Sequence, residues 1–207
     1  MFIYSAVVTA KPGQQQPAMA QIMQNREIVE GATGLPTTAW SAVTGQPLGT
    51  FAISVRVDTM ADLIEGQAKV AANAEYAEQA RTSGDLWMGP GVTALQRVIG
   101  ASSDGPAGGV ISMTTATIQG SYSDAISFGT EVMDHICSTT SSQGLLTLSE
   151  APLIGQLTWI FSNESAEAAS EVDGQLQADA TYLAMYDRAT DLFVPGAATR
   201  STAVRLA

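Results

Sequence analysis

Hydrophobic and polar residues follow two different periods along the first hundred residues, and the order of these periods predicts the secondary structure. Four runs rich in β-branched and aromatic residues are typical of strands: Phe2–Thr9, Thr37–Thr44, Thr50–Val57 and Val92–Ile99. Apolar residues with helical spacing lie between the first and second runs, at about residues 17–29, and between the third and fourth, at about 58–81. The pattern therefore predicts the order strand, helix, strand, strand, helix, strand.

The second hundred residues repeat this order. Strands are predicted at Val110–Ile118, Leu145–Ser149, Leu157–Phe161 and Thr199–Leu206, and helices at about residues 123–138 and 165–188. In each half the two middle strands are separated by a short connection rich in turn-forming residues, so we expect them to pair as an antiparallel hairpin.

A direct sequence repeat supports this reading of two equal halves. Residues 72–87 recur in altered form as residues 178–193, with a constant offset of 106 positions, so that Tyr76 matches Tyr182 and Asp85 matches Asp191. Residues 101–108 are almost all small or turn-forming and are predicted to be a linker. We expect an α+β fold of two tandem ferredoxin-like (βαββαβ) halves, residues 1–100 and 109–207.

Each predicted half covers one face of its sheet with two helices and leaves the other face bare. Because a bare apolar face is unstable in water, we expect the halves to pack sheet to sheet as an α/β barrel. In topology and duplication the chain resembles the dimeric α/β-barrel superfamily, which includes cofactor-independent antibiotic-biosynthesis-type (ABM) monooxygenases, stress-responsive barrel proteins and haem-degrading relatives. The resemblance covers both halves and rests on no family motif. It implies a cavity between the sheets for a small apolar ligand.

Charge and composition exclude several kinds of partner. Nine Lys and Arg stand against 20 Asp and Glu, a net charge of −11, which repels nucleic acid and anionic membrane surfaces. No apolar stretch approaches the roughly 18 residues that a bilayer span requires. A single cysteine is compatible with a reducing cytosol, so we expect a cytoplasmic protein. Whether it forms a homo-oligomer is left open.

One histidine and one cysteine limit the chemistry that the chain can support. Sites with several histidines or several cysteines are excluded, and the glycine-rich segments lack the spacing of a phosphate-binding loop, so we expect neither a metal nor a nucleotide cofactor. We interpret His135 as a helix-edge residue that faces water or pairs with Glu131, one turn earlier. The haem-degrading relatives imply haem ligation as the alternative. Cys137 lies in an apolar stretch and is interpreted as a buried, inert thiol.

Strand alternation singles out Arg56. One face of its strand is apolar, while Ser54 and Arg56 lie on the other and should point toward the space between the sheets. A guanidinium in that space needs a carboxylate or an anionic ligand. The residue at the repeat position is Ser162, so such a site belongs to one half. The other interpretation is a strand-edge arginine that reaches solvent, which also applies to Arg97, Arg200 and Arg205.

Tyr76 and Tyr182 occupy equivalent helix positions, off the main apolar stripe. With Trp87 and Phe193 in the following connections, they form an aromatic pair that appears once in each half. We interpret these residues as packing where the helix end meets the sheet, and a ligand-facing role is the alternative.

Two functions remain open. One is a small-molecule site between the sheets, in a carrier or in an enzyme that acts on an apolar organic substrate, as the resemblance implies. Polar positioning or acid–base chemistry would then come from the candidates Arg56, Ser54, Tyr76, Tyr182 and His135. The alternative is a non-catalytic assembly protein, with an interior filled by Trp40, Trp159 and other side chains and with an acidic exterior or a sheet edge as its interface.

Overall fold

The computed structural model describes residues 1–103 and 105–206. Asp104 in the predicted linker and Ala207 at the end of the predicted second half lie outside the described residues. Within the described ranges the chain forms eight strands, six α-helices and one 3-10 helix. None of the helices in those ranges combines the length and the apolar character needed to cross a bilayer.

The first half contains seven of these elements and the 3-10 helix. They are β1 (Phe2–Thr9), α1 (Gln15–Thr33), β2 (Thr37–Thr44), β3 (Thr50–Val57), α2 (Met60–Ala72), α3 (Ala74–Thr82), the 3-10 helix (Ser83–Leu86) and β4 (Val92–Ala101).

The second half repeats the order of strands and helices. Its elements are β5 (Val110–Thr117), α4 (Tyr122–Thr139), β6 (Gln143–Ala151), β7 (Gln156–Asn163), α5 (Ala166–Ala178), α6 (Ala180–Ala189) and β8 (Thr199–Arg205).

Hydrogen bonds connect the strands of the first half in the order β4-β1-β3-β2 and those of the second half in the order β8-β5-β7-β6. Both halves follow the ferredoxin-like order, in which the first strand lies between the fourth and the third and the second strand lies beyond the third. The predicted hairpins β2–β3 and β6–β7 pair antiparallel. The α+β fold with two tandem ferredoxin-like halves is therefore confirmed.

The chain divides into two compact units. The first runs from Met1 to Gln96 and also includes the chain end from Val204, and the second runs from Arg97 to Ala203. In the first unit, α1 and α2 pack against the apolar face of β3, as predicted; that face consists of Phe51, Ile53, Val55 and Val57.

The second helix of each half is broken, although the sequence pattern predicts one continuous helix. Asn73 separates α2 from α3 and Asp179 separates α5 from α6, both with an extended backbone. The Asn73 side chain accepts a hydrogen bond from the Tyr76 backbone N–H, and Asp179 accepts from those of Thr181 and Tyr182. A side chain that caps the next helix in this way competes with continuation of the preceding one.

In the second unit, the helix-facing core is built around Trp159. Its indole Nε1 donates a hydrogen bond to the Gly129 carbonyl of α4 at 2.9 Å, and its ring lies edge-on to Phe193, with centroids 5.5 Å apart. The expectation that Trp159 fills the other side of the sheet is wrong. Trp159 alternates in phase with Leu157 and Phe161 on β7, which also face the helices.

Candidate functional site

The sheet of the first unit has a face turned away from α1 and α2, which we call the distal face. The residues of β1, β2 and β3 on this face include Ile3, Ser5, Val7, Thr38, Trp40, Ala52, Ser54 and Arg56. The register places Ser5 and Thr38 on either side of Ser54, and Ile3 beside Arg56. Directly opposite residues of antiparallel strands have Cβ atoms about 5 Å apart. Three hydroxyl side chains therefore form a row across the sheet, next to a guanidinium.

Trp40 fixes the orientation of the central hydroxyl. It lies opposite Ala52, which has a small side chain, and its indole Nε1 donates a hydrogen bond to Ser54 Oγ at 2.9 Å. Trp40 is 6% exposed, whereas Ser54 is only partly buried. Because the Ser54 hydroxyl accepts from Trp40, its own proton is available to an acceptor outside the sheet.

The distal face also has an apolar row beside the hydroxyl row. Val7 and Trp40 flank Ala52 on the two neighbouring strands. This arrangement of apolar surface with a few converging polar groups is typical of sites for small organic molecules.

The other arginines that the sequence raised as candidates have a different environment. Arg97 forms an ion pair with Glu150, and Arg200 forms one with Asp173 at 2.6 Å. Both side chains are more than half exposed, and Arg205 is also exposed. They fit the interpretation of strand arginines that reach solvent.

The structure does not bring the two tyrosines to Ser54 and Arg56. Tyr76 lies on α3, on the helix side of the first unit, and Tyr182 lies on α6 of the second unit. Tyr182 packs against a cluster of buried apolar residues, and burial raises the pKa of its hydroxyl. This environment suits the packing role for Tyr182.

His135 forms a pair that the sequence did not predict. Its Nε2 lies 2.7 Å from Asp179 Oδ2, and the two side chains are 17% and 22% exposed. The predicted pairing with Glu131 is wrong, because Arg188 of α6 donates two hydrogen bonds to that carboxylate, both at 2.9 Å. Ligation of haem iron through His135 Nε2 would require breaking the bond to Asp179.

Hydrogen bonds to Asp179 also change its acidity. The Tyr182 backbone N–H, followed by the His135 side chain, holds the pKa of the Asp179 carboxyl below its usual value. The carboxylate therefore both caps α6 and joins it to α4.

A cleft of about 330 Å³ lies in the first unit, where α1 meets the start of α3. Its lining includes Ile28 and Asn73, which correspond in the repeat to His135 and Asp179 when the N-termini of α1 and α4 are aligned. In the second unit the histidine–aspartate pair therefore stands where the first unit has the cleft.

Cys137 lies partly buried in the second unit, and desolvation raises the pKa of its thiol, as expected for an unreactive cysteine. In the part of the chain that the structure describes, no three His, Cys, Asp or Glu side chains are grouped so that they could hold a metal ion.

No family model matches the sequence, and no curated protein is significantly similar to it. Solved structures share its fold. A protein of Fusobacterium nucleatum subsp. nucleatum, provisionally named a monooxygenase, superposes with a TM-score of 0.74 at 8% identity, over 100% of this chain and 92% of that one. A provisionally named monooxygenase of Lactobacillus acidophilus gives 0.66 at 11% identity, over 99% and 93%.

A further similar structure is that of an anthrone oxidase-like protein, with a TM-score of 0.65 at 13% identity, over 100% of this chain and 91% of that one. At such identities these likenesses show a common fold. The resemblance that topology and duplication predict is therefore confirmed as a resemblance of fold.

Proposed function

We propose that the protein binds a small, largely apolar organic molecule on the distal face of its first unit. The hydrogen bond from Trp40 to Ser54 carries this proposal. It holds the Ser54 hydroxyl in one orientation beside the apolar row of Val7, Ala52 and Trp40. An oriented polar group on an apolar surface is the combination that fixes a small ligand in place.

We propose further that the bound molecule is a substrate of cofactor-independent oxygenation. The support is the fold shared with two provisionally named monooxygenases and an anthrone oxidase-like protein. In this proposal Ser54 donates a hydrogen bond to a substrate oxygen, and Arg56 supplies positive charge beside Ser54 on the same face. The substrate supplies its own reactivity toward oxygen. Tyr76, Tyr182 and His135 take no part, because they lie on helices rather than on the distal face.

Titration with the neutral probe 2-naphthamide, followed by tryptophan fluorescence, tests binding on this face. We expect saturable quenching that is lost in Trp40→Phe, and an affinity reduced about two- to tenfold in Ser54→Ala, the usual loss for one hydrogen bond. Ser41→Ala is the matched control, because Ser41 lies on the opposite face of β2. An absence of saturable binding, or quenching that Trp40→Phe does not change, would contradict the proposal.

Native mass spectrometry of protein purified without chelators tests the proposal by a second route. A co-purified organic mass that is lost in Trp40→Phe supports a site on the distal face. Stoichiometric haem, metal or nucleotide would overturn the cofactor-independent chemistry.

A second candidate is a non-catalytic protein that assembles with copies of itself. Leu48 and Ile154 favour it, because they occupy equivalent positions in the two hairpin turns and are 86% and 78% exposed. Large apolar side chains repeated at exposed positions are typical of contact surfaces. Analytical ultracentrifugation of wild type and of Leu48→Lys/Ile154→Lys tests this candidate. A wild-type oligomer that dissociates in the variant supports assembly, and a monomeric wild type excludes it.

A further inference from the structure

We infer that the molecule bound on the distal face carries an anionic group of carboxylate type and that Arg56 binds this group. The inference rests on the proposed function, and it adds the chemical class of the ligand. It follows from the lack of a side-chain partner for Arg56 among the described residues, from the residue at the repeat position, and from the groups along β3.

Arg56 differs from the other basic residues of the chain. Seven of the nine Lys and Arg lie 2.5 to 3.9 Å from a carboxylate oxygen. Arg205 has an interaction as well. Across residues 1–103 and 105–206, no side chain forms a hydrogen bond or ion pair with the Arg56 guanidinium, and its backbone N–H donates to the Pro36 carbonyl.

A shortage of acidic residues does not explain this. The chain has 20 Asp and Glu for nine Lys and Arg, so a carboxylate for every cation would be easy to supply. Arg56 is also partly buried on its strand, so a molecule that binds over it displaces water from the guanidinium, and that loss is unfavourable unless the molecule supplies an anion in place of the water. A ligand that brings the anion satisfies both conditions.

The repeat shows that packing does not require an arginine at this position. Arg56 lies opposite Ile3 in the first unit, and its counterpart Ser162 lies opposite Ile111 in the second. The neighbour on the first strand is thus isoleucine in both units, and a small serine fits beside it. The guanidinium is therefore an addition specific to the first unit.

The length of the distal face sets the shape of the ligand. Ser54 is two residues from Arg56 on β3 and Ala52 is four residues away, so the row from Arg56 to Ala52 spans about 13 Å at about 3.3 Å per residue. A guanidinium binds a carboxylate through two parallel N–H···O bonds. With the carboxylate at Arg56, an apolar body of one or two fused rings extends past Ser54 toward Trp40 and Val7.

The test compares 2-naphthoate with 2-naphthamide, which has the same ring system and no charge. Isothermal titration calorimetry is carried out on wild type, Arg56→Gln, Arg56→Lys and the control Arg97→Gln. We expect wild type to bind the carboxylate about tenfold or more tightly than the amide, as for a hydrogen bond to a charged group.

The variants separate charge from geometry. Arg56→Gln should remove the preference for naphthoate and leave naphthamide binding within about twofold, while Arg56→Lys should keep part of the preference because a point charge remains. Arg97→Gln should leave both affinities unchanged. Circular dichroism and the retained naphthamide affinity confirm that each variant is folded.

The outcomes distinguish this inference from the proposed function. Equal affinity of wild type for the two probes, or a preference for naphthoate that survives in Arg56→Gln, overturns the inference and leaves the proposed function standing. If neither probe binds saturably, the proposed function fails and the inference fails with it.

Discussion

At the scale of single residues, the two units use different side chains at matching positions. Gln21 of α1 donates a hydrogen bond to Gln79 of α3, whereas the corresponding residues of the second unit, Phe128 and Met185, belong to its apolar core. Gln79 is 8% exposed, and its amide nitrogen has no hydrogen-bond partner in the described part of the chain. A buried donor without a partner is destabilising.

We therefore expect Gln79→Met to stabilise the protein. Methionine has nearly the same volume and removes the unsatisfied donor, and Gln21 keeps its second hydrogen bond, to Asn25. The free energy of unfolding in urea should rise by about 1 kcal/mol. Gln24→Met is the control, because the Gln24–Glu75 hydrogen bond is exposed to solvent. A lower unfolding free energy for Gln79→Met would show that its amide has a partner.

The hydrogen bonds to Asp179 should make the stability of the protein depend on pH. Its carboxyl pKa is lowered from 3.8 in the folded protein by the Tyr182 backbone N–H and the His135 side chain. The resulting stabilisation is fully present above pH 3.8, the ordinary pKa, and is lost as the pH falls through the lowered folded-state pKa.

Thermal melts between pH 6 and pH 2 check this prediction. The difference in Tm between wild type and Asp179→Asn should shrink below pH 3.8. A difference that does not change with pH would mean that the carboxylate charge adds nothing to the contact with His135.

Residue-scale contacts explain why the site was only partly predictable. The strand period placed Ser54 and Arg56 on one face correctly, because alternation depends on the backbone alone. The hydrogen bond from Trp40 to Ser54 depends on the register of the hairpin, and the bond from His135 to Asp179 depends on where α6 begins. A single sequence gives neither of these to within one residue.

At the scale of elements, most strands and helices follow from the sequence pattern. β1, β2 and β3 have the predicted bounds. Proline or glycine turns follow β1 and separate β2 from β3, and β3 ends just before Thr59, the N-cap of α2. The breaks at Asn73 and Asp179 were missed, since the helical spacing of apolar residues continues across them. An Asn or Asp at the same repeat position in both halves was the available signal, because these residues favour helix N-caps.

Packing of the helices can be tested with two helix glycines. A Cβ added to Gly129 of α4 would lie 2.6 Å from Leu157 Cδ2 and 3.1 Å from Leu146 Cδ2, whereas one added to Gly174 of α5 would meet nothing within 4 Å. Both changes to alanine favour the helix, by up to about 1 kcal/mol. Overpacking of the fully buried leucines costs about 1–3 kcal/mol and should outweigh this gain at Gly129.

We therefore expect Gly174→Ala to raise and Gly129→Ala to lower the free energy of unfolding measured in urea. If Gly129→Ala is as stable as Gly174→Ala, the core between α4 and the strands β6 and β7 is looser than the structure indicates.

At the scale of the whole molecule, a long-range field accompanies the local site. The net charge of −11 opposes the approach of an anion, although Arg56 attracts the same anion at short range. The electrostatic field of a charge extends over about 30 Å at 10 mM salt, but over only about 8 Å at 150 mM, because salt screens it. The two effects can therefore be separated by ionic strength.

We expect the association rate of 2-naphthoate to rise with ionic strength, because salt screens the repulsion by the acidic surface. The rate for neutral 2-naphthamide should stay constant. Stopped-flow fluorescence between about 10 and 150 mM salt measures both rates. A naphthoate rate that falls with salt would mean that Arg56 dominates the field along the whole approach.

The two halves differ in length at one hairpin, so a constant repeat offset does not align all of their residues. Trp40 lies opposite Ala52 and Thr147 lies opposite Thr158, so Trp40 corresponds to Thr147, an offset of 107 rather than 106. The hairpin connection is one residue shorter in the second half. An offset of 106 applied to β6 would therefore place every one of its side chains on the wrong face of the sheet, because side chains alternate along a strand.

The most direct test of the ligand site is a crystal structure of the protein with 2-naphthoate. We expect the carboxylate in a two-bond contact with the Arg56 guanidinium, and the naphthalene ring beside Ser54 and against Trp40. Naphthoate bound elsewhere, or an Arg56 guanidinium paired with a carboxylate of the protein itself, would contradict it.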